Sequence, residues 1–144
     1  MTLFRALAFL PLIVACAPQD VPLASRSAQF SQYPQSLFDT FETGCAGPGE
    51  TFRKVGNRSF ECSEFLPPDT TAFLILNYDG STVDLPQSVM RLTSTQNSTG
   101  YRVDARLYFK VPQKTGSTVE VPVESERLDQ AIGALFQAMG GLPT

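Results

Sequence analysis

The stretch YRVDARLYFKV, residues 101–111, carries the clearest structural signal in the sequence. Alternate residues, from Tyr101 to Val111, are apolar or aromatic, whereas most of the residues between them are charged. Successive side chains of a β-strand point to opposite faces, so a period of two predicts a strand with one buried and one exposed face. The stretch therefore predicts an antiparallel sheet that is covered on one side.

The polar face of this strand is the most prominent candidate surface. The predicted interaction surface consists of Arg102, Arg106, Tyr108 and Lys110. Cations at alternate positions can bind a carboxylate or a phosphate, and an exposed tyrosine–arginine pair is also typical of protein interfaces. The alternative interpretation is an ordinary solvated strand face on which Asp104 neutralises both arginines. The sequence leaves both interpretations open.

A β-hairpin is predicted from two shorter runs, TFRKV (51–55) and SFECSEF (59–65). A three-residue loop between them aligns Phe52 with Cys62 and places Phe60 on the same face. A two-residue loop would place apolar and charged residues on the same side. The three-residue loop is therefore favoured, and Cys62 is expected to point into the core.

Helices are predicted near the two ends of the folded part. The first follows Pro34, which suits the first turn of a helix, and ends at Gly44. The last has Ser125 as its N-cap and carries one apolar stripe along its length to Met139.

Three more strands complete the predicted fold. TAFLILNY (71–78) has apolar residues on both alternating faces and predicts a central strand, and SVMRLTSTQ (88–96) predicts another. Residues 119–123 alternate again, but Pro122 lacks an N–H donor and assigns them to an edge. The expected fold class is α+β, with about five to six antiparallel strands and both the short N-terminal helix and the amphipathic C-terminal helix on one face.

The first fifteen residues, MTLFRALAFLPLIVA, have the composition of a secretory signal peptide. Arg5 supplies an early positive charge, and an apolar run follows to Ala15. The run is too short to span ~30 Å of hydrocarbon, which needs about 20 helical residues. A basic start and a short apolar stretch predict a cleaved leader over residues 1–15.

The four residues Ile13-Val14-Ala15-Cys16 resemble the lipobox of bacterial lipoproteins. The resemblance implies that Cys16 becomes the first mature residue and carries acyl chains such as palmitate, which hold the protein on a membrane without crossing it. In this class an Asp after the cysteine favours the inner membrane. Ala17 occupies that position here and implies the outer membrane, facing the periplasm. The alternative is a secreted protein in which Cys16 is incidental.

The remaining domain organisation follows from composition and cysteine count. Residues 16–33 are rich in Pro, Ser and Gln and predict a lipidated N-terminus with a flexible tether, leaving 34–144 as one α+β domain. Cys45 and Cys62 then form an even pair, which in an oxidising compartment predicts a disulfide. The alternative, a redox or metal pair, lacks both a CxxC spacing and a histidine.

Composition and motifs exclude several function classes. The sequence has no His, which removes Ser–His and Cys–His catalysis, and its net charge of −3 gives no electrostatic footprint for nucleic acid. Nucleophile elbows and phosphate-binding glycine loops are missing, so no cofactor, metal or catalytic residue is predicted.

The expected function is therefore that of a non-catalytic envelope lipoprotein, a structural or protein-interaction module that binds an envelope protein. The alternative is a lipoprotein that binds a lipid, a glycan or a hydrophobic small molecule. A hydrolase that uses carboxylates, either Glu61 with Glu64 or Glu124 with Glu126, is the remaining exception.

Overall fold

The structure is a computed structural model that describes residues 25–144. The predicted leader (1–15) and the predicted lipidation site Cys16 lie outside the described residues. None of the helices within 25–144 is long and apolar enough to cross a membrane.

The described chain forms three helices and seven strands, so the fold class is α+β. The helices are α1 (Gln35–Gly44), α2 (Pro68–Asn77) and α3 (Glu126–Ala138). The strands are β1 (Ser27–Phe30), β2 (Glu50–Lys54), β3 (Ser59–Phe65), β4 (Gln87–Asn97), β5 (Gly100–Pro112), β6 (Thr118–Pro122) and β7 (Leu142–Pro143).

All strand pairs of the single sheet are antiparallel, and the order is β2-β3-β4-β5-β1-β7. The long strand β5 borders β4 on one side. Along its other side it pairs first with β1, through residues 101–104, and then with β6, through residues 108–112. The sheet thus has one more strand than the upper limit of the prediction, and β6 pairs with β5 alone.

Both α1 and α3 pack on the same face of the sheet, as predicted. Their apolar side chains meet a core whose members alternate along β1, β4 and β5. The buried members of this core are Ala28, Phe30, Leu37, Phe38, Leu92, Val103, Ala105, Ile132 and Phe136. Helix α3 begins at the predicted N-cap, because the Ser125 hydroxyl accepts a hydrogen bond from the Leu128 N–H at 3.4 Å.

The predicted hairpin and disulfide are also present. Phe52 lies opposite Cys62 in the β2–β3 ladder, which is the register of the three-residue loop. A disulfide joins Cys62 on β3 to Cys45 at the C-cap of α1, with 5.8 Å between their Cα atoms. The bridge therefore ties the first helix to the outer half of the sheet.

The predicted tether over 16–33 is wrong in its second half. Residues 27–30 form β1, which lies between β5 and β7, so the folded part begins well before residue 34. Ala28 and Phe30 belong to the core, with exposed fractions of 0% and 4%. A four-residue strand with only two apolar side chains gives too weak a period to be recognised without its partners.

The predicted central strand over 71–78 is wrong as well, because this segment lies in α2 and the turn after it. Pro68 occupies the first turn of α2, where its missing N–H costs nothing, and Asp69 suits the positive end of the helix dipole. Leu74 is buried, and Gly80 lies between Ile75 of α2 and Val111 of β5. Helix α2 thus packs beside the end of β5.

Candidate functional site

The predicted interaction surface on β5 is largely neutralised by neighbouring carboxylates. The Nε atom of Arg102 lies 2.9 Å from Asp104 Oδ1, and Nη2 of Arg106 lies 3.0 Å from Glu120 Oε2 on β6. Among residues 25–144, Lys110 has no carboxylate within 4.0 Å. Of the three cations in the predicted surface, only Lys110 is therefore without an ion-pair partner among residues 25–144.

Tyr108 is not part of that surface, which corrects the fourth residue of the prediction. Its exposed fraction is 2%, and its hydroxyl lies 3.2 Å from Glu61 Oε1. The guanidinium groups of Arg91 and Arg106 lie 5.3 and 5.5 Å from the centre of its ring. Cation–π contacts from two strands thus cover a tyrosine on the polar face of the sheet.

A cross-strand row of charges surrounds this tyrosine. Arg53, Glu61, Arg91 and Arg106 are direct neighbours on four successive strands, β2 to β5. Glu61 is 4% exposed and accepts hydrogen bonds from Arg53 at 2.9 Å and from Arg91 Nε at 2.6 Å. Each carboxylate oxygen of Glu61 therefore has a cationic partner, as a buried charge requires.

The protonation states in this row are set by burial and by hydrogen bonds. Burial alone would raise the pKa of Glu61, but the bonds from Arg53, Arg91 and Tyr108 outweigh it and hold that pKa below its ordinary value. Burial and the adjacent Glu61 charge raise the pKa of Tyr108 to about 12. Glu61 is thus a firmly ionised carboxylate, whereas a general acid at neutral pH needs a raised pKa.

The two carboxylates of the first predicted hydrolase pair, Glu61 and Glu64, do not face each other. Glu61 and Glu64 are three residues apart on one strand, so their side chains project from opposite faces of the sheet. Glu61 belongs to the charged row, whereas Glu64 borders a cavity on the helix side. These two groups cannot flank one bond.

A cavity of about 350 Å³ opens on the helix-covered face, between α1, α3 and the sheet. Its floor consists of Cys62, Met90 and Leu107, and its walls are Phe41 of α1 and Leu135 of α3. Leu135 is 37% exposed although it belongs to the apolar side of its helix. The cavity lies at the small end of the size range of ligand pockets and is mainly apolar, as such pockets are.

Two carboxylates border the same cavity. Glu50 and Glu64 are directly opposite each other in the β2–β3 ladder. Among the described residues neither has a Lys or Arg nitrogen within 4.0 Å, and Glu50 Oε2 accepts one hydrogen bond, from the Gly47 N–H at 2.7 Å. Like charges directly opposite on adjacent strands repel each other.

Glu50 also lies beside the disulfide. Its carboxylate and the sulfurs of Cys45 and Cys62 lie within 4.8 Å of one another, which is close enough for a shared metal ion. The two sulfurs are bonded to each other, however, and a metal ligand has to be a free thiolate. While the disulfide is intact, only the Glu50 carboxylate can donate.

The segment 65–85, which contains α2, carries a concentration of exposed apolar side chains. Phe73 and Leu76 are three residues apart on one face of α2 and are 59% and 82% exposed. The other members are Phe65, Val83 and Leu85, which share a shallow cleft at the end of the sheet. Clustered exposed apolar groups mark interaction sites more often than scattered ones do.

No family model matches the chain, and neither a curated protein nor a solved structure matches it.

Two of these features were missed in the sequence, for different reasons. The strand predicted over 71–78 gives no exposed face of α2, although Pro67-Pro68-Asp69 is a typical helix start. The opposition of Glu50 and Glu64 follows directly from the predicted hairpin register, two positions beyond Phe52 and Cys62. The register alone was therefore sufficient to find that pair.

Proposed function

We propose that this chain is a lipid-anchored envelope protein that faces the periplasm from the outer membrane and acts as a non-catalytic module binding another envelope protein. The membrane part of the proposal depends on Cys16 and on Ala17 after it. Two or three acyl chains at Cys16 would hold the folded part on the membrane for as long as the protein exists.

The distance between anchor and folded part is short. Ser25 is fixed to the body, because its N–H donates to the Asp129 carbonyl at 3.1 Å and its hydroxyl donates to the Thr144 carbonyl at 2.7 Å. Only residues 17–24 separate it from Cys16. A chain extends by at most ~3.6 Å per residue, so Ser25 stays within about 30 Å of Cys16. The proposed anchor would therefore hold the folded part next to the bilayer, and the proposed partner is a protein that reaches this layer.

The exposed apolar side chains of segment 65–85 are the observation that supports partner binding. Asp69 lies on the exposed side of α2, and Asp84 lies between Val83 and Leu85; among residues 25–144 neither aspartate is in an ion pair. Lys110 lines the same cleft as Asp84, so a complementary surface is apolar with charges of both signs at its border. A protein surface with mixed charges fits better than a uniformly anionic lipid surface, which the two aspartates would repel.

Photo-crosslinking in intact cells tests this proposal. A photoreactive amino acid replaces Phe73, Leu76 or Val83 in turn, and Leu142 serves as the matched control because it is 72% exposed on β7, away from the segment. We expect one adduct of constant mass at the three test positions and none at Leu142. Mass spectrometry is expected to identify an envelope protein, and Leu76→Asp to weaken the adduct formed from Phe73.

The membrane anchor is tested by separate experiments. Labelled palmitate is expected to enter the wild type and not Cys16→Ala, and the adduct is expected to disappear in Cys16→Ala. A protein that takes up no palmitate would contradict the anchor. Adducts that contain only lipid, that contain a second copy of this chain, or that form equally at Leu142 would contradict the proposed partner.

A further inference from the structure

We propose that the cavity between α1 and α3 is a binding site for a cationic amphiphile, an organic cation with a short aliphatic chain. The chain would occupy the apolar cavity, and the positive head would lie between Glu50 and Glu64. This site is on the helix side of the sheet and is separate from segment 65–85, so it adds a ligand to the proposed role.

The apolar part of the proposed site exists because the core is incompletely closed at this point. Helix α1 ends at Gly44, and the disulfide holds the following turn against β3. The short helix leaves Met90 and Leu107 of the sheet only half-buried, although both face the helices. A cavity of about 350 Å³ remains there. An apolar chain in this space would remove from water the surface that the two helices leave uncovered.

The flexible side chains around the cavity allow it to adapt to a chain. Met90 on the floor is unbranched and polarisable, which suits it to fill irregular space around a ligand. Phe41 and Leu135 form opposite walls on two different helices. The Thr40 and Ser88 hydroxyls complete the border and can accept or donate hydrogen bonds.

The two carboxylates at the border of the cavity determine which head group fits. The two carboxylates are cross-strand neighbours without an ion-pair partner among residues 25–144, so they repel each other. A cation between them would relieve that repulsion, whereas the carboxylate of a fatty acid would add a third negative charge. The site thus selects a positive head over a negative one with the same aliphatic chain.

Three ligands with one tail and different heads test this selection directly. Decyltrimethylammonium, decanoate and decyl maltoside are titrated below their micellar concentrations into the mature chain from residue 16, with Cys16→Ala so that no acyl chain competes. Calorimetry gives the affinity, and the methyl NMR signal of Met90 reports the location. We expect one saturable site for the ammonium compound, at least tenfold tighter than for the other two.

Matched variants separate the site from general effects. Glu64→Gln is expected to weaken the ammonium compound about fivefold or more and to remove its preference over decyl maltoside, whereas Glu126→Gln, another exposed glutamate, leaves both unchanged. Leu135→Arg puts bulk and positive charge at the cavity wall and is expected to abolish binding. Leu142→Arg is its exposed control, and unchanged urea midpoints verify folding.

Several results would overturn the proposal. These are equal affinity for all three heads, a preference for decanoate, no saturable binding, a Met90 signal that does not shift, or an equal loss in Leu142→Arg. None of them bears on the crosslinking of segment 65–85, so the two proposals fail independently.

Discussion

The hydroxyl of Tyr108 on β5 lies 3.2 Å from the carboxylate of Glu61 on β3, and both side chains are buried on the face of the sheet opposite α1 and α3. The strand β4 lies between them and contributes Arg91, which contacts both. The charged row is therefore a small polar core. It joins the strands β2 to β5 through ion pairs and hydrogen bonds.

Removing the charge of Glu61 is expected to destabilise the fold. In Glu61→Gln the guanidinium groups of Arg53 and Arg91 lose a buried counter-ion, so we expect a loss of about 3 kcal/mol in the free energy of unfolding. Urea denaturation measures it. Glu120→Gln is the control, because Glu120 is 37% exposed and its pairs should contribute less than about 1 kcal/mol. Equal losses in the two variants would contradict the role of Glu61.

The same carboxylate predicts a pH dependence. Its folded pKa lies below the ordinary value of 4.5, so the ionised form contributes stability above that pH, and the contribution is lost as pH falls through the folded pKa. Between about pH 5 and pH 3 the wild type should lose more stability than Glu61→Gln. The urea midpoints of the wild type and of Glu61→Gln should therefore converge as the pH falls through this range. A constant difference would show that the charge is not responsible.

Deleting the predicted tether separates its two halves. A fragment of residues 25–144 should melt at the temperature of the chain from residue 16, because the fragment contains every member of the core described above. A fragment of residues 34–144 lacks β1 and should show no cooperative transition by circular dichroism. The ring of Phe30 on β1 packs edge-on against Phe136 with 6.2 Å between centres, and loss of one buried Phe already costs about 3–5 kcal/mol. Cooperative melting of the shorter fragment would refute the central position of β1.

The disulfide is expected to stabilise the fold by limiting the unfolded chain. Its cysteines are separated by 17 positions, and closing a loop of this size is worth about 3 kcal/mol in the chain-entropy description. The double variant Cys45→Ala, Cys62→Ala should lower the guanidinium midpoint accordingly. Reduced wild type should match it, and a large difference between the two would argue for a separate effect of the substitutions.

Gly100 is expected to resist substitution. Its φ of +129° suits glycine, and a Cβ atom there would lie 2.1 Å from the Phe30 carbonyl oxygen at the end of β1. Gly116 also has a positive φ, +86°, but a Cβ would meet nothing within 4 Å. Both variants carry the strain of a positive φ, which costs about 1–3 kcal/mol, but only Gly100→Ala adds the clash with β1. Thermal melts should therefore show Gly100→Ala to be at least about 2 kcal/mol less stable than Gly116→Ala. Similar stabilities would mean that the contact with β1 relaxes easily.

The elements that could be predicted are those whose evidence is local. The β2–β3 register followed from placing Phe52 and Cys62 on one face, and the start of α3 followed from the capping side chain of Ser125. The short strands β1 and β7 depend on partners far along the chain, as when Ala28 pairs with Val103. Their sequences contain no independent sign of this pairing.

The candidate sites divide in the same way. Alternation along β5 correctly separated its two faces, but it could not show that arginines of two strands would bury Tyr108. The hairpin register places Glu50 opposite Glu64, so this pair could have been predicted from the sequence although it was not. The cavity beside them is a gap between α1 and α3, and its existence depends on how far apart two helices settle on the sheet.

The contact between Ser25 and Thr144 joins residues 119 positions apart. The strand β1 lies near the start of the described chain, yet its partners β5 and β7 lie far along it. Such distant pairing forms slowly, because a long loop must close before any contact rewards it. We therefore expect β1 and β7 to join the sheet late in folding, after the local β2–β3 hairpin has formed.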